Sequence, residues 1–214
     1  MTNGHFCATL FKKIGYNTDM TRLEENKLKK KNDLMETAFQ LFTLQGVART
    51  SIADIAERAG VAKGTFYLYF KDKYDLHEKL VVHKSVQILE HALEHSGYEN
   101  AGNAQEKIIA IVDDILRYAQ KNTLLLRFVN KNLSWGIFRR VVDRSEKDYG
   151  AVFAEILETA PHDRKTLEIE IYTILELVSS TCYSVILEND PVDLDTYLPY
   201  LHRSLRAVMD SFKS

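Results

Sequence analysis

The chain is 214 residues long, 45% hydrophobic and 27% charged, with a formal net charge of −2 at pH 7. That length suits a small domain fused to a medium one, and the apolar share is ample for a core, which excludes a disordered chain. Only nine glycines and three prolines interrupt it, and strand-like alternation is hard to find, so the fold class is predicted as all-α.

Residues 1–25 show no sustained apolar period and are expected to form a flexible N-terminal extension, with Met20 opening a second candidate start, MTRLEENKLKKKNDL. The run Lys27, Lys29, Lys30 and Lys31 is either a solvated face or an arm that reaches phosphate or a minor groove. Residues 32–45 read as the first core helix, with Leu34, Ala38, Leu41 and Phe42 on one stripe and Gly46 closing it.

Residues 50–73, TSIADIAERAGVAKGTFYLYFKDK, carry the clearest functional signal. Ile52, Ile55, Ala56 and Ala59 recur at i, i+3, i+4 and i+7, one apolar stripe of a short helix. Thr50 or Ser51 can cap its first turn, and Ser51 with Asp54 forms an imperfect capping box. Gly60 then ends the helix. A second helix is expected over 62–70. At about 100° per residue, Phe66 and Phe70 share its core arc, while Gly64, Thr65 and Leu68 face outward, flanked by Lys63, Tyr67 and Tyr69. A solvated helix would put charges on that face. Hydroxyls and phenols suit phosphate and base acceptors, and a bare leucine suits a thymine methyl. Gly64 lowers helix propensity by about 1 kcal/mol relative to Ala, which points to a close approach of the backbone to something. Two short helices and a tight turn of this kind are a helix-turn-helix.

Further helices are expected over 72–95, 104–121, 123–132, 135–144, 145–159, 163–188 and 193–212. Lys73, at the start of the first of these, can add to the positive end of the helix dipole at a phosphate. The last two are long and apolar, with small residues at Ser179, Ser180 and Thr181, and serve equally as an intrachain core or as half of a four-helix dimer interface. Pro199 is expected to kink the final helix or to start it. Charge is unevenly spread: residues 22–73 hold ten Lys/Arg against seven Asp/Glu, and residues 74–214 hold sixteen against twenty-two. DNA contact is therefore expected at the N-terminal end alone.

Cys7 and Cys182 are too few for a disulfide framework and read as reduced thiols of a cytoplasmic protein. No run is expected to approach the length of a membrane span, so no membrane partner is expected. His91 and His95 stand one helical turn apart, at a spacing able to chelate a metal, but Glu94 does not follow the first histidine and exposed histidines near a helix end are common; no metal site and no cofactor are assigned. Without a nucleophile elbow, a phosphate loop or a Cys-x-x-Cys, the chain is read as not an enzyme.

The string T-S-I-x-D-I-A-x-x-A-G-V-A-K-G-T-F-Y-x-Y-F-K-x-K resembles the signature of the tetracycline-repressor (TetR) family of bacterial transcription regulators, over about residues 32–80. The resemblance implies an all-helical homodimer, with an N-terminal three-helix helix-turn-helix DNA-binding domain (26–73) and a C-terminal helical domain for ligand and dimerisation (74–214). It places Lys63, Gly64, Thr65 and Tyr67 in the groove and Thr50, Ser51, Tyr69 and Lys73 at phosphates. Ala53 stands where some relatives carry a longer base-reading side chain. The resemblance further implies a pocket among the middle helices, with Tyr118, Trp135, Phe138 and Tyr172 as candidate ligand-binding residues and Arg117, Arg127, Arg139 and Arg140 near them in sequence. The functional expectation is a ligand-responsive regulator, most simply a repressor on a palindromic double-stranded operator, dimerising through 163–188 and 193–212. The alternatives are an inducer-independent architectural or cell-division protein of the same fold, and a metal sensor through His91 and His95.

Overall fold

The computed structural model describes residues 21–130, 132, 135–144, 153, 156 and 164–212. Of the expected extension over 1–25, residues 1–20 lie outside them and residues 22–25 are helical instead; most of the expected helix over 145–159 also lies outside, and within it Phe153 and Ile156 are helical and buried. Among the described residues the chain is helical without strands, as its composition requires. Its contacts divide it into two units, through Leu76 and from His77.

The first unit opens with α1, Arg22–Arg49, which starts ten residues before the expected position. The cause is a capping box: the Thr21 hydroxyl accepts from Glu24 N–H, and the Glu24 carboxylate accepts from Thr21 N–H at 2.9 Å. The lysine run is thereby exposed on the early turns of α1. Gly46 breaks the helix at φ 81° and ψ 157°, and the chain then resumes one further helical turn. Next come α2, Ile52–Arg58, and α3, Lys63–Phe66. α2 ends in a Schellman motif, in which Val61 N–H donates to Ala56 O and Gly60 N–H to Glu57 O, with Gly60 at φ 68°.

α3 is one turn long where a helix over 62–70 was expected. Ala62 offers no side-chain cap and Gly64 weakens the segment, so after Phe66 the backbone closes into tight turns, Leu68 N–H to Thr65 O and Tyr69 N–H to Phe66 O. Packing supplies what propensity withholds: Phe66 and Phe70 are buried 5.4 Å apart between ring centres, in a core with Leu34, Ala38, Leu41 and Ile55.

α4, Lys73–His95, starts in the first unit and continues into the second. The second unit adds α5 (Ala104–Lys121, capped by Asn103), α6 (Thr123–Asn130), α7 (Trp135–Arg144), α8 (Arg164–Leu187) and α9 (Leu194–Ser211, capped by Asp193). α8 packs on α9, α5 and α6. Two half-buried hydrogen bonds join neighbours to α5, His91 of α4 with Asp114 at 2.8 Å and His202 of α9 with Asp113 at 2.7 Å. Pro199 neither starts nor ends α9; it lies in its second turn, where the missing donor costs a single backbone hydrogen bond. The expectation on membrane spans also needs correction, because Glu168–Leu187 is long and apolar enough to cross a membrane by length and composition. Here that stretch packs on its neighbours, and its less buried flank carries Ile169 and Tyr172.

The Gly46 break rests on a backbone region that only glycine occupies readily, and a Cβ there would meet nothing within 4 Å. Gly46→Ala is therefore expected to cost roughly 1–3 kcal/mol of stability through backbone strain alone. Urea unfolding checks this: an unchanged midpoint would mean that α1 straightens freely.

Candidate nucleic-acid interface and effector cavity

Ser51, Ile52, Ala53, Lys63, Tyr67, Asp72, Lys73 and Tyr74 line one concave face of the first unit. Three segments meet there: the start of α2, the start of α3 with its following turn, and the start of α4. Ser51 is the N-cap of α2, its hydroxyl accepting from Asp54 N–H at 3.1 Å while its own N–H donates to Asp54 Oδ2 at 3.0 Å. The capping box that looked imperfect is closed. The Ser51 amide, and then its hydroxyl, hold the Asp54 carboxyl below its ordinary pKa, so the cap carries its charge at neutral pH.

Tyr67 is 53% exposed and Leu68 77% exposed, on the turn that follows α3. Lys63 and Gly64 are also open to solvent, Thr65 and Tyr69 half-buried. Gly64 has no positive φ, and a Cβ added there would meet no atom within 4 Å. Nothing inside the protein explains the missing side chain, whereas a surface docking against α3 would. Asp72 brings a carboxylate to the face, yet its Oδ1 accepts from Tyr74 N–H at 2.8 Å and from Asp75 N–H at 2.9 Å, so it serves as the cap of α4. The face thus presents two lysines, hydroxyls and phenols, the groups that hold phosphate oxygens and base edges.

Two expected phosphate contacts are structural. Thr50 is 1% exposed; its hydroxyl donates to Gly46 O at 2.9 Å and accepts from Gln45 Nε2 at 3.3 Å, so it cannot reach a phosphate. The Lys73 ammonium donates to Ala48 O at 2.9 Å and Thr50 O at 3.0 Å, leaving one of its three protons. The Tyr74 and Asp75 amides at the start of α4 are likewise not open for a dipole contact, since Asp72 holds them. Tyr74, 62% exposed and 5.5 Å from Lys73 Nζ at its ring centre, joins the face and escaped the sequence reading. Its position beside Lys73 was the available signal.

The family model described as "Bacterial regulatory proteins, tetR family" matches residues 34–80, which contain the whole of this face. Residues 34–80 thus form a DNA-binding domain of the TetR-family type. Over that stretch the chain is of the helix-turn-helix DNA-binding type. It is 45% identical over 47 residues to the HTH-type transcriptional regulator AcrR of Shigella flexneri, a match spanning 22% of each chain. It is 29% identical over 130 residues to the Escherichia coli protein described as "Probable acrEF/envCD operon repressor", covering 55% of this chain and 58% of the relative. Among solved structures it is similar to the FadR regulator of Bacillus subtilis in complex with stearoyl-CoA, with TM-score 0.60, 19% identity, and coverage of 81% and 96% of the two chains.

The second unit holds an open-sided cavity of about 200 Å³ lined by α4, α5, α6, α7 and α8 together with Phe153. Of the four expected ligand-binding aromatics only Phe138 lines it. Trp135 stacks on Phe138 at 5.4 Å, Tyr172 meets Trp135 edge-on at 5.3 Å and is 42% exposed, and Tyr118 packs against the His91 ring at 4.1 Å. Those rings bury one another at the unit's rim, while aliphatic residues that carried no special signal make the walls. The arginines are placed elsewhere: Arg117 pairs with Asp195, Arg140 with Glu78 at 2.9 Å, and Arg127 and Arg139 are exposed. Cys182 lies in the lining, and burial pushes its thiol up to about 11, so it stays protonated. The His91 and His95 rings stack at 4.2 Å, with His91 Nδ1 on Asp114 and His95 Nδ1 at 2.8 Å from His91 O, so both Nδ1 atoms are engaged within the protein.

Gly64→Ala is expected to stabilise the first unit by about 0.5–1 kcal/mol through helix propensity while weakening DNA binding. Tyr67→Ala is expected to leave unfolding nearly unchanged and to weaken a selected duplex by roughly 1–3 kcal/mol. Urea unfolding beside fluorescence anisotropy on labelled duplex reads both quantities; full DNA affinity in both variants would move the reading face elsewhere.

Proposed function

We propose that the chain is a ligand-responsive repressor that binds a near-palindromic operator as a homodimer in the cytoplasm, and lets go when a small molecule fills the cavity of the second unit. The observation that carries this reading is the double use of α4. Its first residues, Lys73 and Tyr74, belong to the concave DNA face, and Ser85, Ile88 and Leu89 of the same helix belong to the cavity wall. A ligand that prefers one pose of α4 shifts the population toward it, and nothing else is required to couple the sites.

Two-fold symmetry makes such a shift effective. The recognition segments of a dimer must enter major grooves about 34–36 Å apart, so a small displacement of both spoils both contacts. Ser51, Lys63, Gly64, Thr65, Tyr67, Tyr69 and Tyr74 carry the contact in this reading, and Lys73 acts by holding the face together. The dimer face is built from α8 and α9. Ile169 is 46% exposed and Tyr172 42% exposed on the former, Tyr200 58% on the latter, and apolar side chains of this kind seek a second copy. The E. coli relative named as a repressor and the FadR complex with stearoyl-CoA are precedents for repression and for an effector in this fold.

Sequencing of genomic fragments retained by the purified protein is expected to recover an inverted repeat. The only tryptophan, Trp135, stacks on cavity-lining Phe138, so cavity filling is expected to change its fluorescence. Compounds that do so should lower affinity for that repeat by roughly 1–3 kcal/mol. A saturable fluorescence change with an unaltered DNA Kd would sink the coupling.

A further inference from the structure

The cavity has a definite chemistry. Its walls are aliphatic, with Ile88 and Leu89 from α4, Ile111 and Ile115 from α5, and Ile174 and Leu175 from α8, and no charged side chain among the described residues lines it. At about 200 Å³ it exceeds the roughly 150 Å³ of an apolar cavity known to stay dry and take benzene. A carboxylate entering it would lose its water with no cation in the described lining to replace it.

Polar residues interrupt the pattern at Ser85, Asn130, Ser179, Cys182 and Tyr183. Ser85 lines the cavity, and its hydroxyl oxygen is buried without a hydrogen-bond partner. Hydroxyls on helices commonly return to the carbonyl four residues back, and in this chain Thr43, Thr173, Thr181 and Ser204 all do so. Ser85 does not. Ser179, also in the lining, spends its hydroxyl on Glu176 O at 3.4 Å. A buried hydroxyl left unsatisfied in an apolar wall is a cost that a ligand can remove.

We propose that the effector is a neutral, aliphatic molecule carrying one hydrogen-bonding group, and that Ser85 is the specificity-determining residue that reads that group; this rests on the effector reading of the cavity given above. The hydroxyl both donates and accepts, so an alcohol, ester or amide satisfies it equally.

Calorimetric titration of the full chain with octan-1-ol, sodium octanoate and toluene tests this in the parent and in Ser85→Ala. Octan-1-ol is expected to bind saturably, and octanoate at least tenfold more weakly at pH 8. The variant should bind octan-1-ol about three- to tenfold more weakly and toluene with unchanged affinity. Replacing an unpartnered buried hydroxyl by hydrogen should leave the Tm equal or higher, so a loss of binding in a stable variant reports on recognition. Octanoate or toluene binding as tightly as octan-1-ol, or octan-1-ol indifferent to Ser85→Ala, would overturn the proposal. If octanoate or toluene then loosens the protein from its operator, the effector reading stands while this proposal falls; if none of the three binds, both fall.

Discussion

The first unit depends on one ammonium group. Lys73 Nζ reaches the carbonyls of Ala48 and Thr50, 25 and 23 residues earlier in the chain, and so ties the start of α4 to the end of α1. Those carbonyls follow the Gly46 break, whose own carbonyl accepts from Thr50. A hydrogen bond with a charged donor is worth about 1.5–3 kcal/mol, more than a neutral one, and two converge here. Ser51, the next residue, caps α2. Glycine break, buried threonine, lysine clamp and cap form one continuous arrangement, and the concave face is its outer surface.

That arrangement explains how α3, a helix of four residues, keeps its shape. Isolated helices of this length do not persist in water, because nucleation costs more than one turn returns. α3 is held from below by Phe66 and Phe70, from the front by the Schellman turn at Gly60, and from behind by the Asp72 cap of α4. Tyr67 and Leu68 then project from a turn whose backbone is hydrogen-bonded at Thr65 and Phe66. Their exposure is a consequence of burying their neighbours: with Phe66 inward at 0% exposure, the next two side chains have only solvent to face.

The second unit distributes polar and apolar groups differently. Its polar side chains join helices to each other, His91 to Asp114, His202 to Asp113, and Arg206 to Glu106 at 3.1 Å. Its interior is left to aliphatic side chains that do not fill the space between them. An unfilled apolar volume forfeits dispersion contacts along its lining, a cost that a ligand-binding regulator can recover when the ligand arrives. α8, with an apolar flank beyond what its own chain covers, is the other place where burial is incomplete.

What the sequence determined by itself were the features that local chemistry decides. The α2 stripe of Ile52, Ile55 and Ala56, the Gly60 stop, the core pair Phe66 and Phe70, and the bounds of α5 and α7 all follow from periodicity, capping and glycine conformation, which act within a few residues. Tertiary structure decided every role that depends on partners distant in the chain. Thr50 and Lys73 look like phosphate ligands in a linear motif, and only the return of α4 to the end of α1 turns them into internal hydrogen-bonding groups. Tyr118, Trp135 and Tyr172 are aromatic residues at helical spacing, which cannot tell a cavity wall from a rim; packing put them on the rim and gave the walls to isoleucine, leucine and valine. Ser85 carried no sequence signal, because an unpartnered hydroxyl is defined by what fails to surround it, and that is known only once five helices have closed around one space.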